Sequence, residues 1–186
     1  MKQSRDSLQK FHYAMRKSGF TIIEIIMVIV ILSILAVVIV TRSGSYYPVK
    51  LNGAGEKLLS DIRYAKRLAM TNHGIYGISF DVAGNSYTVY EYERTPPPPP
   101  PATPVEDPHR PGYSLVVDYD DNKYYNGIEI ISAVFGETNE LKFSPFGVPY
   151  DGDNAELAAN GSVVINYRGN DFTITVIPRT GKASHE

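Results

Sequence analysis

Cysteine is absent from this chain of 186 residues, and neither sign of charge dominates it. Without cysteine the chain has no disulfide, no thiolate metal site and no cysteine nucleophile. Eighteen Lys and Arg residues face 20 Asp and Glu, which argues against a protein that coats nucleic acid through bulk charge. The length suits one compact domain. What the chain does have is 14 Tyr, seven Phe and one block of extreme hydrophobicity near its N-terminus.

That apolar block runs over residues 20–40 and contains one charged side chain, Glu24. As a helix it would be about 31 Å long, close to the thickness of a bilayer's hydrocarbon core. An ordinary secretory signal has a shorter apolar region followed by a cleavage site between small residues, which this sequence lacks. A plain membrane anchor would not carry Glu24, because a carboxylate in hydrocarbon costs about 2–4 kcal/mol.

The segment before the apolar block is basic. Residues 1–19 hold five Lys and Arg and one Asp, a net charge of +4. The positive-inside rule predicts a cytoplasmic N-terminus and an exported domain after residue 40. We therefore expect a single-pass membrane protein with an exported C-terminal domain.

The junction between these segments, residues 17–24 (KSGFTIIE), resembles the class III signal of type IV pilins and type II secretion pseudopilins. The resemblance implies that residues 1–19 are a leader, that prepilin peptidase cuts between Gly19 and Phe20, and that the new Phe20 amine is methylated. It also implies that Glu24 serves assembly. In a fibre core this carboxylate would pair with a neighbouring subunit's amine and fix the axial register. The leader is long for the family, and translation from Met15 would shorten it.

Residues 41–186 are expected to form a β-rich head. The Gly- and Pro-containing segment 43–55 predicts a loosened or broken helix. Residues 56–70 then show the spacing of an amphipathic helix, and residues 72–74 (NHG) favour its C-terminal cap. From residue 75 the period changes to two, which predicts strands at 75–80, 86–93, 113–119, 127–135, 140–144, 161–167 and 171–177. Turns are expected at 81–85 and 168–170.

This order of elements predicts an α+β, pilin-like fold: a long N-terminal transmembrane helix continues into an amphipathic helix packed on two antiparallel sheets. A loop at residues 95–112 interrupts the head and holds nine of the 13 prolines. Its six consecutive prolines favour polyproline II, which would keep the loop extended and out of the core. It is interpreted either as a spacer or as a contact surface for another subunit.

Three segments of the head resemble the GspH/FimT family of minor pseudopilins. They are the helix-to-strand segment 58–80, the segment 141–147 (LKFSPFG) and the final segment 172–182 (FTITVIPRTGK). The resemblance implies a structural subunit of a periplasmic pseudopilus for type II protein secretion. The alternative is a type IV pilus minor pilin that acts in pilus initiation or as a tip module binding DNA or a surface. The implied partners are prepilin peptidase, other pilins and pseudopilins, and an inner-membrane assembly platform.

The remaining candidate sites are weaker. Oxygen-rich loops offer calcium ligands at Asp118, Asp120, Asp151 and Asp153, but they lack the EF-hand spacing and are equally typical of turns. The four histidines, 12, 73, 109 and 185, have no metal spacing, and no nucleophile elbow or phosphate-binding loop is present. We therefore expect no enzyme activity, no cofactor and no metal. A small basic patch is predicted from Arg168, Arg179 and Lys182, although the acidic balance of residues 20–186 makes nucleic-acid binding an unfavoured prediction.

Overall fold

The computed structural model describes residues 21–42, 46–92 and 102–185, with side chains described outside 36–42 and 46–48. The chain divides into two units, residues 1–44 and residues 45–186. The predicted cleavage site at Gly19 and Phe20 and the proline run 96–101 lie outside the described residues.

In the first unit the structure describes one helix, α1 (Ile22–Arg42). Thr21 precedes it as the N-cap: the backbone N–H of Glu24 donates to the Thr21 carbonyl at 3.0 Å and to its hydroxyl at 3.3 Å. Threonine satisfies helix-start amides in this way, and the carboxylate of Glu24 lies favourably in the first turn. Among the residues that the structure describes, no helix combines the length and apolar character needed to cross a bilayer.

The second helix, α2 (Tyr46–Asn72), begins ten residues before its predicted start. The expected break over 43–55 was therefore wrong for residues 46–55. Pro48 falls within the first turn, where its missing N–H removes no helical hydrogen bond. Gly55 has a packing role, because a Cβ at this position would overlap the ring of Phe172.

One face of α2 forms the core of the head, through Leu51, Ala54, Leu58, Leu59, Ile62, Ala65 and Ala69. The helix ends where predicted. His73 follows it with a φ of +53°, the left-handed conformation that commonly terminates helices, so the histidine and not Gly74 occupies that position.

Within residues 75–92 and 102–185, ten strands form two antiparallel sheets. The larger sheet consists of β1 (Ile75–Asp81), β2 (Ser86–Tyr92), β3 (Thr103–Pro104), β4 (Val116–Asp118), β6 (Glu140–Phe143) and β7 (Pro149–Tyr150). The smaller sheet consists of β5 (Glu129–Val134), β8 (Gly161–Tyr167), β9 (Asn170–Val176) and β10 (Ala183–His185). The order is β3-β2-β1-β6-β7, with β4 also paired to β2, in the first sheet and β10-β9-β8-β5 in the second. Helix α2 packs against strands of both sheets, which confirms the α+β class.

The structure also corrects details of the strand prediction. The strand expected over 113–119 is confined to β4, and three short strands, β3, β7 and β10, were missed. Two of these contain proline, which weakens the strand signal. The second half of the proline-rich loop is not held out of the core as predicted: β3 pairs with β2, and Val105 packs against core residues. Both predicted hairpin turns are confirmed, with Arg168 and Gly169 at positive φ in the β8–β9 turn.

Candidate functional site

The start of α1 brings the predicted assembly residue into a defined position. Glu24 occupies the third helical position, is exposed, and is fixed in the chain by the Thr21 cap. Because α1 begins at Ile22, the predicted scissile bond between residues 19 and 20 precedes the helix. The arrangement places a carboxylate one turn into an apolar helix, close in sequence to the predicted new amine.

Apart from Glu24 and Ser33, the described surface of α1 is apolar. Twelve large hydrophobic side chains are between 49% and 79% exposed: Ile22, Ile23, Ile25, Ile26, Met27, Val28, Ile29, Val30, Ile31, Leu32, Ile34 and Leu35. Ser33 lies between these side chains in the helix. Its hydroxyl donates to the Ile29 carbonyl at 2.7 Å and so adds little polarity to the surface. A helix of this kind is stable in lipid or in a bundle of similar helices, not in water.

The predicted calcium loops use their carboxylates to organise turns. Asp118 accepts from the backbone N–H groups of residues 120 and 121, and Asp120 accepts from the Asn85 side chain at 2.8 Å. Asp151 is buried and accepts from the N–H groups of residues 153 and 155, while Asp153 is exposed. Over the described ranges, no three His, Asp or Glu side chains are grouped to hold a metal ion.

The histidines are separated in the structure as in the sequence. His73 follows α2, and His109 lies 3.6 Å from the Asp107 carboxylate. His185 lies 3.3 Å from the Glu56 carboxylate, and its ring is tilted against the Phe172 ring with the centroids 5.1 Å apart. His12 falls outside the described residues.

The predicted basic patch is divided. Arg168 lies in the turn before β9, whereas Arg179 and Lys182 lie beyond the other end of this seven-residue strand, about 23 Å away by strand geometry. Lys182 instead shares a groove of about 480 Å³ with three cations of α2, Arg63, Lys66 and Arg67. Their spacing of three and four residues is the sequence signal that would have revealed one basic helix face.

Two of these cations are held by the backbone of the opposing strand and turn. Arg63 donates to the Ala183 carbonyl at 3.0 Å, and Lys66 donates to the Thr180 carbonyl at 2.6 Å. Among the residues that the structure describes, no acidic side chain lines the groove. This basic groove is thus a concentrated positive surface on a head whose residues 46–186 contain 12 Lys and Arg against 18 Asp and Glu.

A buried polar cluster lies on the core side of α2. Asp61, 5% exposed, pairs with Lys57 one turn earlier and accepts a 2.7 Å hydrogen bond from the Tyr87 hydroxyl. Burial raises the pKa of Tyr87 well above its ordinary value, and the nearby Tyr119 and Asp61 reinforce that shift. The cluster therefore stays a neutral tyrosine donating to a paired carboxylate, which is a structural role.

Comparison with known proteins bears on both units. The model of the prokaryotic N-terminal methylation motif matches residues 14–40, which include Gly19, Phe20 and Glu24. The head is similar to the minor pseudopilin EpsH from the type 2 secretion system of Vibrio cholerae, with a TM-score of 0.52 and 10% identity over 74% of this chain and 96% of that one. No curated protein matches the chain.

Two crystal structures of the type IV minor pilin FimU of Pseudomonas aeruginosa are also similar. Their TM-scores are 0.47 and 0.43, each at 13% identity, over 75% and 73% of this chain and 90% and 92% of theirs. The chain therefore combines the prokaryotic N-terminal methylation motif with a pilin-like fold similar to that of EpsH. The pilin-like resemblance predicted from residues 17–24 is thereby confirmed.

Proposed function

We propose that this chain is a minor pseudopilin, a structural subunit that is assembled into a periplasmic pseudopilus for type II protein secretion. The observation that carries the proposal is the joining of the methylation motif over residues 14–40 to a head with the fold of a minor pseudopilin. The work of such a subunit is mechanical: assembly moves or exposes the head. The chain acts as a building block, not as an enzyme.

Processing is the first step of the proposed function. Prepilin peptidase cuts between Gly19 and Phe20 on the cytoplasmic side and methylates the Phe20 amine. Residues 20–40 hold the subunit in the inner membrane until the assembly platform extracts it. The net charge of +4 over residues 1–19 supports this orientation.

Glu24 connects the membrane state to the fibre. Its carboxylate is unfavourable in hydrocarbon. The apolar side chains next to it in the helix are exposed, so the helix around Glu24 is expected to lie in lipid or against neighbouring helices. Pairing with the amine of an adjacent subunit turns an isolated charge into a compensated one. Since such pairing is satisfied at one axial position, it sets the register of the packed helices.

The proposal is tested by replacing Glu24 with Ala in the full chain, with Glu24→Asp as the charge-conserving control. Glu24→Ala should leave leader removal intact and reduce fibre incorporation and secretion at least tenfold, while Glu24→Asp retains part of both. Gly19→Ala should block processing itself. Undisturbed incorporation of the Glu24→Ala chain would refute the register role.

The alternative, a type IV pilus minor pilin, is compatible with the same motif. If the minor pilin binds DNA, the basic groove is the expected binding surface. Binding through Arg63, Lys66, Arg67 and Lys182 would weaken steeply as the salt concentration rises. A gel-shift titration of the purified protein at several salt concentrations distinguishes the two. We expect no retardation at physiological salt, because the head as a whole is acidic.

A further inference from the structure

The basic groove carries positive charge that the head itself does not compensate. Elsewhere in the described ranges, Lys57, Arg110 and Lys142 pair with carboxylates at 2.5, 2.9 and 3.6 Å. Although the head is acidic as a whole, no described carboxylate forms an ion pair with the four cations of the groove, which are Arg63, Lys66, Arg67 and Lys182. An uncompensated cluster of this kind is complementary to a ligand that supplies negative charge.

Contacts within the head hold the groove cations in place. Arg63 and Lys66 are bonded to carbonyls of the opposing wall. The guanidinium of Arg67 lies 5.7 Å from the centre of the Tyr64 ring. The carbonyl of Lys182 accepts a 2.9 Å hydrogen bond from the residue after β9, which fixes its backbone to the smaller sheet. Groups that are ordered before binding lose little conformational entropy when a ligand binds.

The dimensions of the groove match a short, extended peptide segment. The α2 residues that line it run from Arg63 to Thr71, about 12 Å of helix axis, which three or four residues of an extended chain would cover. Arg63 and Arg67 are about 6 Å apart along the axis, close to the roughly 6.6 Å between alternate residues of a strand. Since alternate residues point to the same side of a strand, their carboxylates would face these cations together.

The charge of the whole head favours such a segment over a nucleic acid. DNA carries one negative charge about every 1.7 Å of its axis, so it would extend beyond the groove onto the rest of the acidic head. A segment of three or four residues meets mainly the groove, because charges more than about 8 Å away are largely screened at physiological ionic strength.

An apolar margin beside the groove also suits a protein ligand. A Cβ at Gly147 would lie 2.8 Å from the Lys66 side chain and 3.0 Å from the sulfur of Met70, so the turn between β6 and β7 packs on α2 here. Met70 and Phe146 are 47% and 87% exposed. Residues that flank the bound carboxylates can cover these two side chains, as in the apolar parts of protein interfaces.

The described carboxylates of this chain are not arranged to fill the groove of a second copy. Its two described pairs of acidic residues at alternate positions, 118 with 120 and 151 with 153, lie at turns. Asp118 and Asp120 accept hydrogen bonds from groups of their own head, and Asp151 is buried. The occupant is therefore expected to be a different protein.

We propose that the basic groove binds an extended segment of another protein that carries carboxylates on alternate residues. Arg67 and Lys182, which are exposed, contact the carboxylates directly. Arg63 and Lys66 stay bonded to the groove wall and contribute positive charge. The inference goes beyond the proposed function, because it requires neither leader removal nor a fibre.

The test compares two capped seven-residue peptides of the same composition by isothermal titration calorimetry on the full chain in a nonionic detergent. One peptide has glutamates at its third and fifth positions and the other at its third and fourth, with threonine elsewhere to favour an extended backbone. Adjacent glutamates of an extended chain point to opposite sides. We expect the alternating peptide to bind about fivefold more tightly or better, and its affinity to fall as salt is added.

Charge reversals locate the binding surface. Arg67→Glu and Lys182→Glu should each weaken binding of the alternating peptide about tenfold, since a favourable charge becomes a repulsive one. Lys123→Glu makes the same change in net charge at an exposed position outside the groove and should leave the affinity within about twofold. Circular dichroism of the three variants, whose changes are all at exposed positions on different elements, verifies that each is folded.

Several results would overturn the inference. They include no detectable binding of the alternating peptide, equal affinity for the two peptides, and equal losses from Lys182→Glu and Lys123→Glu. Tighter binding of a DNA duplex, or of mixed micelles containing an anionic phospholipid, that Arg67→Glu abolishes would assign the groove to a nucleic acid or a membrane instead. Self-association of the full chain that Arg67→Glu abolishes would identify a second copy as the occupant and contradict the inference equally.

Discussion

The two helices of this protein have opposite relations to their surroundings. Along α1 the described apolar side chains are exposed around the whole circumference, whereas α2 buries one face, including Leu58 and Ile62, and directs its charges outward. Helix α2 is explained by packing within its own chain. The exposed apolar side chains of α1 are unfavourable in water, which is why a membrane and a fibre belong to the proposed function.

The contrast between α1 and α2 is tested most strongly by replacing one leucine with alanine in each helix. Leu58→Ala should lower the free energy of unfolding of the head by about 2–5 kcal/mol, since Leu58 is fully buried and its removal leaves a cavity. Leu32→Ala, in α1, should change that free energy by less than about 0.5 kcal/mol. Urea unfolding of the full chain in detergent provides both values, and an equal loss from the two truncations would contradict the division.

Two glycines sharpen the comparison within α2. Gly55→Ala should destabilise the head by about 1–3 kcal/mol, because the added methyl group overlaps the Phe172 ring. Gly53→Ala is the matched control: its methyl group would lie 4.0 Å from the Tyr125 ring, so it should be neutral or stabilise the helix by up to about 1 kcal/mol. The melting temperatures of the two variants measure this difference. If α2 were broken over residues 46–55, Gly53→Ala would have the lower melting temperature of the two.

The polar cluster beneath α2 offers a smaller effect. Tyr87→Phe removes a hydrogen bond to the buried Asp61 and should cost about 1–2 kcal/mol. Tyr119→Phe should cost nothing or stabilise slightly, since the Tyr119 hydroxyl is buried without a hydrogen-bond partner in the described part of the chain. Denaturant titrations measure the free energy of unfolding of both variants. If Tyr87→Phe and Tyr119→Phe lowered it by similar amounts, the hydrogen bond from the Tyr87 hydroxyl to Asp61 would not be stabilising.

The smallest expected effect concerns pH. Burial opposes ionisation of Asp107, but the His109 N–H and the Arg110 guanidinium outweigh it and lower the pKa of this carboxyl. A lowered pKa stabilises the folded state while the carboxylate is charged, and that stabilisation is lost as the pH falls below about 4. The protection factor of the His109 amide, its exchange rate compared with the intrinsic rate at the same pH, should therefore fall at low pH, and Asp107→Asn should remove this dependence.

Much of the fold follows from patterns in the sequence. Alternation over 75–80, 86–93 and 161–167 predicts the long strands, because each has one face in the core. The short strands β3, β7 and β10 carry too few residues for a period, and two contain proline. The start of α2 was missed because Gly and Pro signal a break locally, while the packing of Gly55 on Phe172 depends on residues more than 100 positions apart.

The candidate functional residues also fall into those that the local sequence predicts and those that only the tertiary structure brings together. Glu24 stands out in sequence because a lone carboxylate in an apolar run is costly, and the motif around it is local. The basic groove and the exposed Phe146 are formed by tertiary contacts between α2, the β6–β7 turn and the segment after β9. Grouping Arg168 with Lys182 was wrong because the intervening strand separates them.

The most direct test of the proposed function is the intact mass of the native polypeptide recovered from the cell envelope. A polypeptide that begins at Phe20 and carries one added methyl group is the result we predict. A polypeptide that retains the basic segment before Phe20 would contradict the central claim that this chain is a polymerising subunit.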